Sequence, residues 1–88
     1  MIGKIIRIKD DLNTRYIKIK EFDGYTYSGY GFAITNFDAG FLYNFVSDAI
    51  TISADYESCF EIINEIEFNR SFDQMINNMR YAHMKEML

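Results

Sequence analysis

An Asp-Gly pair at positions 23 and 24 limits the folds open to this 88-residue chain more than any other feature does. Asp-Gly favours a type I′ turn, which joins two antiparallel strands through a two-residue loop. The flanking runs, 14–22 and 25–34, are rich in β-branched and aromatic residues that alternate with polar ones. We therefore predict a hairpin of 14–22 with 25–34, in which Phe22 lies opposite Tyr25 and Ile17 opposite Tyr30.

A third strand is predicted at 4–9, paired with 14–19 so that Ile6 lies opposite Ile17 and Arg7 opposite Tyr16. Because alternate side chains point to opposite faces of a sheet, this three-stranded meander has two unlike faces. The predicted core face holds Ile6, Ile8, Ile17, Ile19, Tyr30, Phe32 and Ile34. The predicted outer face holds Arg7, Lys9, Tyr16, Lys18, Lys20, Phe22, Tyr25 and Tyr27.

After residue 36 the apolar positions recur at helical spacing, and we predict helices at 37–48, 54–67 and 72–86. Ser71 and Gln74 form a capping-box pattern before the third. Residues 49–53 fit either a short fourth strand or a connection, and propensity does not separate the two. The prediction for residues 1–88 is one α+β domain, with a three-stranded antiparallel sheet followed by three helices packed on one face.

Charge is divided unevenly along the chain, whose net charge is −4. Residues 1–22 carry six Lys or Arg against three acids, and residues 23–88 carry three against ten. This division predicts two differently charged surfaces. The single cysteine excludes an internal disulfide, and no apolar run reaches the length of a bilayer span or a secretory signal. We expect a cytoplasmic protein of a bacterial host that does not enter the membrane.

The first candidate surface is acidic. Glu57, Glu61 and Glu65 recur every four residues in the predicted helix 54–67, and Asp55 extends their stripe. Such a face is either solvated or docks into a basic cleft of a nucleic-acid enzyme through complementary potential. We take these four residues as the predicted partner-binding site.

The second candidate surface is basic. Lysine and arginine interleaved with tyrosine on a sheet face are typical of single-strand nucleic-acid binding, in which rings stack on bases and cations neutralise phosphates. The residues are Arg7, Lys9, Tyr16, Lys18, Lys20 and Tyr27. The competing interpretation is an ordinary solvated strand surface.

Residues for catalysis or metal binding are few. His83, the single histidine, is expected near the C-terminal end of the last helix, where a protonated imidazole interacts favourably with the helix dipole. Cys59 is expected to be a small buried apolar residue. The segment 10–13 has oxygen ligands but lacks the glycine and distant glutamate of a calcium loop. We predict no enzyme, no catalytic residue, no metal site and no cofactor.

In size, acidity, richness in Ile, Asn, Lys, Tyr and Phe, and absence of Pro and Trp, the whole chain resembles small proteins of phages and mobile elements. Among these it is similar in style to anti-CRISPR inhibitors, a resemblance that includes no sequence motif. The resemblance implies a non-enzymatic interaction module that binds a larger protein and blocks a host nucleic-acid-handling complex such as a defence nuclease. The alternatives are a nucleic-acid-binding module and a homo-oligomeric structural protein held together by exposed Tyr or by Met84, Met87 and Leu88.

Overall fold

A computed structural model describes residues 1–9, 13–35 and 44–86 as five antiparallel strands and one long helix. The strands are β1 (Ile5–Lys9), β2 (Asn13–Phe22), β3 (Thr26–Thr35), β4 (Asn44–Ser53) and β5 (Glu61–Ile63). A 3₁₀ helix (Ala54–Cys59) joins β4 to β5, and α1 (Glu65–Glu86) follows. The strands form one sheet in the order β4-β3-β2-β1-β5.

The predicted fold was therefore wrong in its strand count and in its number of helices; of the three predicted helices, 72–86 is helical, as the later part of α1. Residues 44–48 belong to β4, and 54–67 divide into the 3₁₀ helix, β5 and the first residues of α1. Residues 37–43 lie outside the described part of the chain. Residues 49–53, for which the sequence left a strand and a connection open, form the end of β4. Short apolar runs fit both periods, and here burial of Ile50 and Ile52 on one sheet face decides for the strand.

The helix α1 begins at residue 65 because Asn64 caps it. The Asn64 side-chain oxygen accepts a hydrogen bond from the Glu67 amide at 2.7 Å, and the acids Glu65 and Glu67 suit the positive end of the helix dipole. Ser71 lies inside the helix, so the predicted cap at Ser71 was wrong. Asn64 and Glu67 have the same three-residue spacing as a capping box. This spacing is the sequence pattern that could have located the start of α1 at residue 65.

Of the two predicted strand registers, one is correct and the other is wrong. The β1–β2 register is confirmed, but in β2–β3 Phe22 lies opposite Tyr27 rather than Tyr25. The chain does reverse at Gly24, which has a φ of 100°, but the loop is wider because the Asp23 carboxylate accepts hydrogen bonds from the amides of Tyr25 and Thr26. A bulge between Ile19 and Glu21 then shifts the register again.

The net slip is one residue, which turns every β3 side chain to the other face. Ile17 lies opposite Gly31, so the isoleucines and the β3 aromatics that were predicted to share a core lie on opposite sides of the sheet. One side, the isoleucine layer, consists of Ile6, Ile8, Ile17, Ile19, Tyr27, Ile50 and Ile52. The other, the aromatic layer, consists of Tyr16, Phe32, Ile63, Phe68 and Met75.

Different elements cover the two layers. The first half of α1 packs on the aromatic layer, where the Phe32 ring centroid lies 4.6 Å from that of Tyr16 and 5.1 Å from that of Phe68. Met1, Ala54 and Phe60 pack on the isoleucine layer. Both faces of the sheet are therefore apolar at their centres, and neither is the fully solvated surface predicted for the meander.

The sheet curls around the isoleucine layer. Strands β1 and β4 are three spacings apart in the strand order, about 14 Å in a flat sheet. Nevertheless Ile8 of β1 and Ile52 of β4 line the same cavity. Glycine permits the curl, because a Cβ at Gly29 or Gly31 would overlap a carbonyl oxygen of β2.

Candidate functional site

The two charged surfaces predicted from the sequence face each other within the molecule. The Arg7 guanidinium pairs with Glu61 (Nη2 to Oε2, 2.7 Å) and with Glu67 (Nη1 to Oε1, 2.7 Å). Lys18 Nζ lies 3.0 Å from Glu65 Oε1. We call these five residues the charged seam. The predicted acidic stripe does not exist as one helix face, because Glu61 lies on β5 and Glu65 begins α1.

The seam joins the sheet to the helix. The hydrogen bond from Arg7 to Glu61 raises the pKa of the guanidinium above its ordinary value. Lys18 also lies over the Phe68 ring, 4.9 Å from its centroid, in cation–π geometry. Since the carboxylates are partly exposed, the pairs contribute modestly to stability, but they occupy Arg7 and Lys18, two of the four cations of the predicted basic surface.

The tyrosines of the predicted basic surface are buried. Tyr16 is 8% exposed and stacks on Phe32, and Tyr27 is 6% exposed in the isoleucine layer. The Tyr27 hydroxyl donates a hydrogen bond to Glu57 Oε1 at 2.7 Å, which raises the pKa of Tyr27. Base stacking needs an open ring face, which neither residue offers. Lys9 and Lys20 are exposed and lie outside the seam, Lys20 being the bulged residue of β2.

Six acids with described side chains form no ion pair in the described ranges, and three of them lie on β4 or just after its end. Asp48 lies within β4, and Asp55 and Glu57 follow its end in the 3₁₀ helix. All three are exposed, and none of them forms an ion pair in the described ranges. Glu57 accepts its hydrogen bond from the Tyr27 hydroxyl rather than from a cation.

The outer edge of β4, the strand that carries Asp48 and precedes Asp55 and Glu57, is a feature that the sequence analysis missed. β4 is ten residues long, and within the described part of the chain it pairs with β3 alone. Phe45 and Val46 are 51% and 46% exposed, and the strand contains no Lys, Arg or Pro. Proteins usually blunt an exposed edge with such residues. We define the β4 edge as the side of Asn44–Ser53 away from β3, with Asp48, Asp55 and Glu57.

The β4 edge has one irregularity. Between Gly29 and Gly31 of β3, β4 carries one extra residue, so Asp48 and Ala49 lie in a bulge. The Ala49 amide donates to the Ser47 hydroxyl at 3.0 Å and is satisfied locally. The bulge divides β4 into two regularly paired runs, 44–47 and 50–53.

Cys59 and His83 are the two residues that the sequence analysis considered for catalysis. Cys59 is exposed rather than buried as predicted, because the predicted helix whose apolar stripe would have buried it is absent. The position of the His83 side chain lies outside the described part. Within the described ranges no group of three His, Cys, Asp or Glu is placed to hold a metal ion, and none of the helices there is long and apolar enough to cross a bilayer.

No family model, curated protein or solved structure matches this chain.

Proposed function

We propose that this protein is a non-enzymatic interaction module that binds a basic, extended segment of a larger protein along the β4 edge. The observation that carries the proposal is the ten-residue strand that, within the described ranges, has a neighbour on one side only. Its outer amide and carbonyl groups suit strand addition, in which backbone hydrogen bonds supply affinity and side-chain pockets supply specificity.

The exposed apolar residues of β4 support this mode of binding. Phe45 lies opposite Ala33 and Val46 opposite Phe32, so the two side chains project to opposite faces of the sheet. An added strand would contact Phe45 with one set of alternate side chains and Val46 with the other. Both contacts would extend apolar layers already formed beside them.

Charge indicates the kind of segment. Asp48, Asp55 and Glu57 are acidic and form no ion pair in the described ranges, on a molecule of net charge −4. Complementary potential favours a segment rich in Lys or Arg. Proteins that handle nucleic acid carry such segments for contact with phosphates, and a module seated on one would block that contact. A host nucleic-acid-handling complex, such as a defence nuclease, is therefore the partner class that we propose.

The proposed surface keeps Asp55 and Glu57 from the predicted site and replaces Glu61 and Glu65, which belong to the seam, with Asp48 and the β4 backbone. The nucleic-acid alternative has no supporting observation, since Arg7 and Lys18 are paired and Tyr16 and Tyr27 are buried. A second copy of the chain is a competing occupant of the same edge.

A model peptide tests the proposal directly. We would titrate ¹⁵N-labelled protein with a ten-residue peptide of alternating Lys and Val, using the Glu-Val peptide as the matched control. The expected result is a saturable shift of the Asn44–Ser53 amides and slower hydrogen exchange of those facing outward, with the Lys-Val peptide only. A triple variant, D48K/D55K/E57K, should lose the response, while Asp73→Lys on exposed α1 should keep it.

Two results would overturn the proposal. The first is no saturable change at about 1 mM peptide, which corresponds to a binding free energy weaker than about −4 kcal/mol. The second is a scattering mass twice the 10.4 kDa of the chain together with β4 amides already protected without peptide, which would assign the edge to a second copy.

A further inference from the structure

The concave side of the curled sheet encloses a cavity of about 330 Å³ next to the 3₁₀ helix. We propose that it binds a small amphipathic carboxylate, whose apolar body lies on Ile8 and Ile52 and whose carboxylate pairs with Arg15. The cavity is lined by Ile8, Lys9, Arg15, Ile52, Tyr56 and Cys59. The cavity shares β4 and the 3₁₀ helix with the β4 edge, but the ligand would contact other residues there, and the inference does not depend on the function proposed above.

The sheet register places Arg15 at this cavity. Arg15 lies opposite Ile8 in the β1–β2 pair, and alternation along β2 puts it on the same side as Ile17 and Ile19. Its neighbours on that side are the buried side chains of the isoleucine layer. The guanidinium therefore stands at the margin of an apolar surface rather than on the open outside of the sheet.

The charges around the cavity favour an anion. Arg15 is half-buried and forms no ion pair with any residue of the described ranges, whereas Arg7 has two carboxylate partners. No acid of the described ranges lines the cavity, and Lys9 adds a second positive charge to its lining residues. A planar guanidinium pairs with a carboxylate through two parallel hydrogen bonds, so a carboxylate ligand would complete the partner set that Arg15 lacks.

The apolar lining residues and the cavity volume indicate the chemistry and size of the part of the ligand that is not the carboxylate. Ile8 and Ile52 are 8% and 7% exposed and form an apolar wall from the two sides of the curled sheet. The volume is at the lower end of the range for small-molecule sites, about 300 to 1,000 Å³. A short fatty acid or an aromatic acid fits these conditions, while a nucleotide or a large lipid does not.

Cys59 supplies the readout, because it is the single cysteine of the chain, is exposed, and lines the cavity. We would measure the rate at which neutral iodoacetamide alkylates Cys59 in the full chain, with octanoate or benzoate added below any micellar concentration. Bound carboxylate should slow alkylation in a saturable manner. Octan-1-ol and octylamine at equal concentration should not, because they lack the anionic group.

Variants separate binding from general effects. Arg15→Gln should weaken the protection by octanoate about tenfold or more, as expected for loss of a charge-assisted pair. Arg15→Lys should retain part of it, and Arg70→Gln on exposed α1 should leave it unchanged. Folding of each variant is checked by its melting curve and by an unchanged alkylation rate without ligand. Equal protection by octan-1-ol, equal protection in folded Arg15→Gln, or no protection in the native chain would each overturn the proposal.

Discussion

Arg7 on β1 and Glu67 on α1 are sixty residues apart in the sequence, and their side chains meet with Nη1 2.7 Å from Oε1. The same guanidinium holds Glu61 of β5, so one arginine connects the first strand, the last strand and the helix. The contact explains why Arg7 and Lys18 of the predicted basic surface, and Glu61 and Glu65 of the predicted acidic one, are not free to bind a partner. These acids and bases pair with one another where α1 begins.

Removing the arginine should weaken this connection measurably. We expect Arg7→Met to lower the free energy of unfolding by about 1 to 2 kcal/mol, because the apolar stem is kept while two partly exposed ion pairs are lost. Urea unfolding measures the loss, which should shrink in 1 M salt because screening weakens the native pairs. Lys20→Met, at an exposed position outside the seam, should change stability by less than about 0.5 kcal/mol. Equal losses in both variants would contradict a specific role for Arg7.

The helix start can be tested with a pair of alanine variants. Asn64→Ala should cost about 1 kcal/mol, since the Glu67 amide loses its acceptor. Ser71→Ala should cost less than about 0.5 kcal/mol, because Ser71 is in the interior of α1 and alanine is the better helix former. Thermal unfolding followed by circular dichroism distinguishes the two. The opposite order of effects would place the helix start at residue 71.

The hairpin should depend on pH through Asp23. Hydrogen bonds from the Tyr25 and Thr26 amides hold the pKa of the Asp23 carboxyl below its ordinary value of 3.8. A lowered pKa in the folded state means that the carboxylate stabilises the fold above pH 3.8 and loses that effect as the pH falls through the folded-state pKa. Asp23→Ala should therefore lower the urea midpoint at pH 7, and its difference from the native chain should diminish below pH 3.8.

A control for the turn is Asp73→Ala, which removes an exposed acid from α1 and should leave the midpoint at pH 7 nearly unchanged. A difference between native and Asp23→Ala protein that stays constant down to pH 2 would show that the Asp23 carboxylate does not hold the turn.

The curl of the sheet should depend on Gly31. A Cβ at this position would overlap the carbonyl oxygen of Tyr16, which is backbone and cannot turn away. We expect Gly31→Ala to destabilise the fold by about 3 kcal/mol or more, at the upper end of overpacking effects. Ser28→Ala on the same strand is the matched control and should be close to neutral. A folded Gly31→Ala variant with native stability would contradict the close approach of β2 and β3.

The registers show where sequence reasoning succeeds. The β1–β2 pairing was predictable, because a short polar loop and alternating isoleucines admit one register that keeps Ile6 and Ile17 on the same face. The β2–β3 pairing was not, because the Asp23 side chain widens the turn and Lys20 bulges out of β2. Neither effect has a periodic signature, yet together they moved Phe32 and Tyr27 to the faces opposite those predicted.

The candidate surfaces were only partly predictable for a related reason. Asp55 and Glu57 remain at the proposed interface, but the pairing of Glu61 and Glu65 with Arg7 and Lys18 joins residues more than 40 positions apart, and composition cannot show such pairs. The free edge of β4 is likewise a property of strand order, which depends on where β5 pairs.

The sequence by itself determined in which of the first three strands apolar and polar residues alternate, that the chain reverses at Gly24, and that Ile6 lies opposite Ile17. These features depend on backbone geometry and on the alternation of side chains along a strand, both of which are local to a few residues. The tertiary structure alone decided that the sheet has two apolar faces, that basic and acidic groups cancel in the seam, and that β4 is left at the edge. Those outcomes depend on contacts between distant segments, where a shift of one residue exchanges the inside of the sheet for its outside.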